Sequence, residues 1–261
     1  MQIVGIGRVI FWSGGSLWIG QALAPTELHS HHAIQIGIGL SDNVQFRTSD
    51  EKDWVPYGAA IIPSDLPHTF QAPGKMVANL FCAPESALGR GLIARFGDRE
   101  IIGLPPAEIQ PHAKALRLAF DNGDADEELE YVALEALFAL SKRVVRTSID
   151  PRVMQATAFI ASNLAEPLNL EDVSKQVELS PGRFRHLFVI ETGISFRAYL
   201  LWTRLNRALE LGFGGTSWTD AAHATNFADS AHLSRTTRRM YGLAPSSLRH
   251  DLPAASQPMT A

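Results

Sequence analysis

The chain has 261 residues, 46% apolar and 19% charged, a globular rather than disordered balance with room for two domains. Its 23 Lys and Arg against 27 Asp and Glu give a net charge of −4, which at first weighs against a nucleic-acid binder. A single cysteine, Cys82, excludes an internal disulfide framework and any Cys-rich zinc module. No apolar run approaches the roughly 18 residues of a membrane span, and residues 1–8 carry no export signal, so a cytoplasmic protein without membrane association is expected.

Over residues 1–105, short β-rich runs such as 16–20 and 34–40 alternate with turn signals at 41–43, 56–58, 63–65 and 72–74. That spacing predicts a sandwich or small barrel. It contains Glu27-Leu-His-Ser-His-His-Ala-Ile-Gln35 and Pro63-Ser-Asp-Leu-Pro-His-Thr-Phe70. On a strand, His29 and His31 share one face and His32 takes the other. With His68 from a neighbouring strand, they make a candidate three-nitrogen metal set. Trp12, Trp18, Trp54 and Phe70 are expected in the core. Two helices follow within residues 106–149, one over 107–120. The other carries Leu129, Val132, Ala133, Ala136, Leu137, Leu140 and Val144 at helical spacing. This stripe looks too long for a small barrel to bury alone, so 106–149 is read as an interdomain or dimerisation element. Beyond Thr147 a new helix starts, with Asp150 as N-cap and Pro151 at its first position.

After residue 150 the chain is helical and repeats itself at an offset of 49. Leu170-Glu-Asp-Val173, Ser180, Phe184 and Gly193 are answered by Trp218-Thr-Asp-Ala-Ala222, Asp229, Leu233 and Gly242. Each unit reads as a helix, a tight turn, an N-capping Ser or Asp, and a second helix stopped by glycine. That is a helix-turn-helix written twice, over 170–191 and 218–241, joined by a linker helix over 196–211. At 100° per residue, Phe184, Leu187 and Phe188 form one buried stripe, and Leu233 and Met240 define the other. The outward residues are then Gly182, Arg185, His186 and Val189 in the first unit, and Arg183 beside them is a further DNA-binding candidate. In the second they are Ala231, Ser234, Arg235 and Arg238, with His232 alongside. Small residues permit close approach to a duplex, and arginine forks suit guanine edges or phosphates.

The pattern Leu179-Ser180…Phe184-Arg185…Leu187-Phe188…Thr192-Gly193, continued by Ala222…Phe227…Asp229…His232…Ser234-Arg235…Tyr241-Gly242…Pro245…Arg249, resembles the AraC/XylS-type transcriptional regulators over about residues 153–250. The resemblance implies a bacterial regulator with two helix-turn-helix units reading adjacent major-groove segments. It assigns base reading to Arg185 and His186, then to Ala231, His232 and Arg235. Asn226 stands where glycine is usual before the phenylalanine, Leu233 replaces a common phenylalanine, and Thr237 another core aromatic. The His-x-His spacing, with Gln35 where a glutamate is usual and Asp65 where glycine is, resembles the cupin barrel. It implies a sensor pocket around His29, His31, Gln35 and His68.

The expectation is therefore a two-domain α+β protein: an N-terminal cupin-like β-barrel with following helices, then an all-α domain over 150–250 with two helix-turn-helix units, and a disordered tail over 251–261. It is expected to be no enzyme but a regulator of double-stranded promoter DNA, answering an effector of unknown identity. A homodimer and RNA polymerase are the further partners expected. No cofactor is required; a divalent metal on His29, His31 and His68 is the one candidate. The alternatives are a constitutive dimeric regulator with a structural barrel, or a cupin-type metal enzyme. Charge also divides: residues 1–149 hold 12 basic and 17 acidic side chains, residues 150–261 hold 11 and 10.

Overall fold

Alternation along the strands sorts the first part of the chain onto two faces of one sheet. In the computed structural model, which describes residues 2–142 and 149–250, strands β1 (Gly5–Trp12), β2 (Gly15–Ala22) and β3 (Ile34–Gly39) are followed by β4 (Val44–Arg47), β5 (Val55–Tyr57) and β6 (Ala59–Ile62). Next come β7 (Thr69–Gln71), β8 (Lys75–Cys82), helix α1 (Ala87–Phe96), β9 (Ile102–Gly103) and helices α2 (Pro106–Asn122) and α3 (Asp126–Ser141). The last strand, β10 (Leu248–His250), pairs parallel with β1, with Leu248 opposite Gly5.

Seven strands form one sheet in the order β10-β1-β2-β8-β3-β6-β9, and β5-β4-β7 form another. Neither order closes on itself, so the expected barrel is instead two sheets; β4, β5 and β7 are short and pair only among themselves. Between the sheets lie Ala22, Val44, Phe46, Ala60, Ile62, Phe70 and Val77. The opposite face of the large sheet offers Leu17, Ile19, Ile34, Ile36, Ile38, Ile61 and Leu80, and these pack with Leu116, Leu129, Ala133, Ala136, Leu137 and Leu140. The α3 stripe is thus covered by its own sheet. It is not left for a partner, because that sheet has a whole second apolar face to bury. Leu118, Tyr131 and Phe138 are what α2 and α3 leave exposed. Arg8, buried on β1, holds Asp126 at the start of α3 and the Asp124 carbonyl. Trp18 and Phe70 are buried as expected, Trp12 partly so, whereas Trp54 sits near the surface under the Arg47 guanidinium.

The helical part comprises α4 (Pro151–Ser162), α5 (Leu170–Gln176), α6 (Pro181–Thr192), α7 (Phe196–Phe213), α8 (Trp218–Ala224) and α9 (Ser230–Tyr241). Asp150 caps α4 by accepting from the Arg152 amide. The tight turns sit at corresponding places: Glu178 and Asn226, each two residues past the first helix of its pair, both have positive φ (54° and 60°). Asparagine tolerates that conformation better than most residues, which explains Asn226 in a glycine position. Helix α7 lends its first half, Phe196 and Leu200, to a core with Val153, Ile160, Val173, Phe184 and Phe188. Its second half buries Leu205, Ala208, Leu209 and Phe213.

The chain divides into two compact units, residues 1–144 with 238–261, and residues 145–237. Helices α2 and α3 therefore belong with the sheets rather than standing apart as a 106–149 element. The division also falls within α9, so its last turn and β10 group with the strands because β10 is hydrogen-bonded into their sheet. Val144 and Thr147, and the tail expected over 251–261, lie outside the described residues.

Candidate nucleic-acid interface and histidine cluster

On α6, the Ser180 hydroxyl caps the helix by accepting from the Arg183 amide at 3.4 Å. Phe184 and Phe188 are fully buried, with ring centroids 5.3 Å apart and Phe196 and Tyr199 beside them; Leu187 is half-buried. Gly182, Arg185, His186 and Val189 are exposed, as the 100° geometry requires, and Arg183 is exposed as well. A Cβ at Gly182 would meet nothing within 4 Å, so the start of this helix is open to close approach.

On α9, Asp229 Oδ1 accepts from the His232 amide at 2.6 Å. Leu233 is buried while Ala231 and Arg235 are exposed. Ser234 and His232 are half-buried, the His232 ring lying 5.1 Å from Phe227 in an edge-on contact. Met240 is only half-buried; the inward residues near the helix end are Thr236, Thr237 and Tyr241. The Thr237 hydroxyl donates to the Leu233 carbonyl at 2.9 Å, which satisfies a polar group standing where an aromatic was expected. Arg238, expected to face a duplex, has its guanidinium 3.3 Å from Glu27.

The histidines do not lie on a strand. His29, His31 and His32 precede β3, and His29 is held by a two-way backbone bridge to His68. His29, His31 and His68 converge all the same, with ligand atoms within 4.8 Å of one another. His32 points elsewhere, to Glu85 at 3.0 Å. Each ring of the trio has Nδ1 at 2.8–2.9 Å from a backbone carbonyl: Glu27 for His29, Ala33 for His31 and Leu66 for His68. A carbonyl only accepts, so Nδ1 carries the proton. Burial holds all three rings below their usual range, His29 at about 3; His31 lowers His29 further, and both lower His68. They are neutral at pH 7 and present Nε2 lone pairs inward. Gln35 Oε1 lies 3.1 Å from Nε2 of His31 and 3.0 Å from Nε2 of His68, while its Nε2 donates to Asn79 Oδ1 at 2.9 Å.

Aromatic rings wall the cluster. Tyr241, the last residue of α9, stacks on Trp18 at 4.6 Å and meets Phe81 edge-on at 5.3 Å; its ring is 5.8 Å from that of His31. Its neighbour Gly242 has φ +69°, accepts from the Glu27 amide at 2.8 Å, and sits where a Cβ would come within 2.5 Å of Glu27 O and His29 Nδ1. Sequence reasoning read Tyr241 and Gly242 only as a helix end; nothing in their spacing signals that they adjoin histidines two hundred residues away. Asn79 was likewise missed, although a lone amide in the apolar run of β8 was a cue.

Among known families, the helix-turn-helix domain model matches residues 173–251. The regulatory protein PocR of Salmonella typhimurium is 32% identical over 114 residues, covering 43% of this chain and 37% of PocR. An uncharacterised HTH-type transcriptional regulator of Staphylococcus aureus is 28% identical over 109 residues, 41% of this chain and 15% of that one. The matched stretch thus spans little more than a third of the first relative and less of the second. Among solved structures, ToxT from Vibrio cholerae O395 aligns with a TM-score of 0.57 at 11% identity, covering 89% of this chain and 95% of ToxT. ToxT from strain SCE256 with an unsaturated fatty acid bound aligns at 0.54 and 8% identity, covering 91% and 94%. The fold, strand-rich first and helical second, is that of ToxT. With its repeated helix-turn-helix and the matched domain, the C-terminal part of the chain carries a helix-turn-helix domain of the AraC type.

Proposed function

We propose that this chain is a sequence-specific DNA-binding transcription regulator whose strand-rich unit answers to a small-molecule effector. The observation that carries the effector half is Tyr241. One helix, α9, presents Ala231, Ser234 and Arg235 near its start and ends in a ring that walls the histidine cluster. Stacked and edge-on rings at 4.6 and 5.3 Å leave no slot between them. A molecule that takes the place of the Tyr241 ring beside His31 displaces the end of α9, the helix that carries Ala231, Ser234 and Arg235. Such an effector shifts DNA affinity by its differential affinity for the two positions of α9. The fatty-acid-bound structure of ToxT, a protein of the same fold, supports a small-molecule effector in this architecture.

Arg183, Arg185 and His186 on α6, with Ala231, His232, Ser234 and Arg235 on α9, are the proposed contacts to promoter DNA. A near-neutral C-terminal part neutralises few phosphates, so its non-specific binding is weak and self-association adds affinity. We assign a homodimer contact to the face bearing Leu118, Tyr131 and Phe138, left exposed on α2 and α3. Footprinting of bound promoter regions, followed by titration of candidate metabolites against the footprint, tests the proposal. An effector-dependent footprint is expected. A footprint that no metabolite shifts, and that Tyr241→Ala leaves unchanged, would favour the constitutive regulator.

A further inference from the structure

We infer that Val189 determines part of the sequence specificity of α6 by touching the C5-methyl group of a thymine in the major groove, an assignment that rests on α6 being a helix that enters that groove.

Gly182, Arg185, His186 and Val189 stand at i, i+3, i+4 and i+7, and all four are exposed. At 100° per residue they fall within about 100° of one another. This is the spacing by which a helix lying in the major groove touches successive bases over two turns. Phe184 and Phe188 are buried behind them. Glu191, the one acidic residue of α6, is half-buried and about 180° round the helix from Gly182, so no carboxylate of α6 shares the outward face.

The apolar residue at the fourth place is the unusual one. Shifted by the repeat offset of 49, Val189 and Ile190 correspond to Arg238 and Arg239 of α9. Where one helix carries two guanidinium groups, the other leaves two branched apolar side chains 40% and 63% exposed. Valine and isoleucine are poorer helix formers than arginine, and an exposed one gains little burial in return. Arginine there would also add phosphate affinity, which a near-neutral domain has little of. What an apolar side chain offers instead is contact with the thymine methyl, the only methyl group that unmodified bases present in the major groove.

Valine suits that contact. Its branched Cβ holds one χ1 in a helix, so little rotamer freedom is lost on binding. Its side chain is short, so its backbone has to come close to the bases. Gly182, two turns earlier and about 20° round the helix, has no side chain to hold α6 away. Val189 lies about 6 Å along the axis from Arg185, close to two base-pair steps of roughly 3.4 Å. The thymine therefore falls about two pairs from the base that Arg185 contacts. Ile190, about 100° from Val189, lies beyond the edge that His186 marks.

The test uses full-length protein and a duplex that it selects from a random-sequence library. Each thymine of that duplex is replaced in turn by uracil, which pairs alike and lacks only the methyl. At one thymine, wild-type affinity should fall by about three- to fivefold, the worth of one buried methyl group. Val189→Ala should bind the parent duplex less tightly by a similar factor and make that substitution silent. Val189 is exposed and alanine favours a helix, so this variant folds. Ile190→Ala should keep the uracil effect, as should Arg185→Ala, which instead loses preference at a neighbouring pair. A selected duplex with no uracil-sensitive thymine overturns the assignment and leaves DNA reading by α6 standing. Uracil sensitivity that survives Val189→Ala overturns it too, since another group then touches the methyl. Val189→Ala that binds every duplex as the wild type does overturns it as well and gives the exposed apolar pair to a protein partner. Failure to select any sequence sinks the DNA reading itself, and the methyl contact with it.

Discussion

In the first helix-turn-helix, the second helix, α6, closes on Thr192 and Gly193, where the Thr192 hydroxyl returns to the Phe188 carbonyl at 2.7 Å and a Cβ at Gly193 would meet nothing within 4 Å. In the second, α9 closes on Tyr241 and Gly242, packed against the histidine loop with no room for a Cβ. The interiors differ in the opposite sense. Helix α6 buries two phenylalanines, while α9 turns Leu233, Thr236 and Thr237 inward. The helix with the leaner apolar face is the one anchored at its far end. One helix therefore closes within its own bundle, and the other ends packed against the histidine loop.

Four experiments would break or sharpen that contrast. Phe188→Ala should cost about 3–5 kcal/mol of unfolding free energy, whereas Thr237→Val should change it by no more than about 1 kcal/mol, both by urea denaturation. Equal losses would mean that the two interiors matter alike. Next in size, Gly242→Ala should destabilise by about 2–4 kcal/mol, combining positive-φ strain with a backbone clash, against about 1 kcal/mol for Gly193→Ala, where φ is +81° but space is free. If the two glycines prove equivalent, the end of α9 is not docked as described. Third, Arg185→Ala and Arg235→Ala should each reduce discrimination between promoter and random duplex by about 1–3 kcal/mol in competition binding; undiminished discrimination would remove that arginine from the base readers. Smallest in stability is Phe138→Glu, expected to shift unfolding by about 0.5 kcal/mol or less, yet to lower the mass measured by light scattering if this face joins two copies.

Much of the helical half was legible because its signals are local. Caps at Asp150, Ser180 and Asp229, glycines at 193 and 242, and the spacing of Phe184 and Phe188 each determine conformation within a few residues. Helix α7 runs two residues beyond its expected end, to Phe213, because Gly212 remains compatible with helix while Trp218 packs against it. The sheets were less legible. Short strands signal a β-domain, but whether its edges join depends on pairings such as Gly5 with Leu248 that no window of sequence contains. The fate of the α3 stripe failed for the same reason, since the second apolar face of the large sheet exists only once β2, β3, β6 and β8 are side by side. The histidine trio was visible by residue type, though the strand geometry invoked for it was not what brought it together. The backbone bridge between His29 and His68 does that.

The pairing of β10 with β1 has a kinetic consequence. It is among the most sequence-distant contacts a chain of this length can make, and contacts of that kind form late and slowly. Until residues 245–250 have been synthesised and have found their place, β1 keeps an unpaired edge at Gly5–Gly7, open to strands from other chains. Folding of the strand-rich part therefore waits on the helical part that is translated between β9 and β10. A nascent chain stalled after α9 carries an exposed strand edge into a crowded cell, which makes truncated forms of this protein candidates for aggregation.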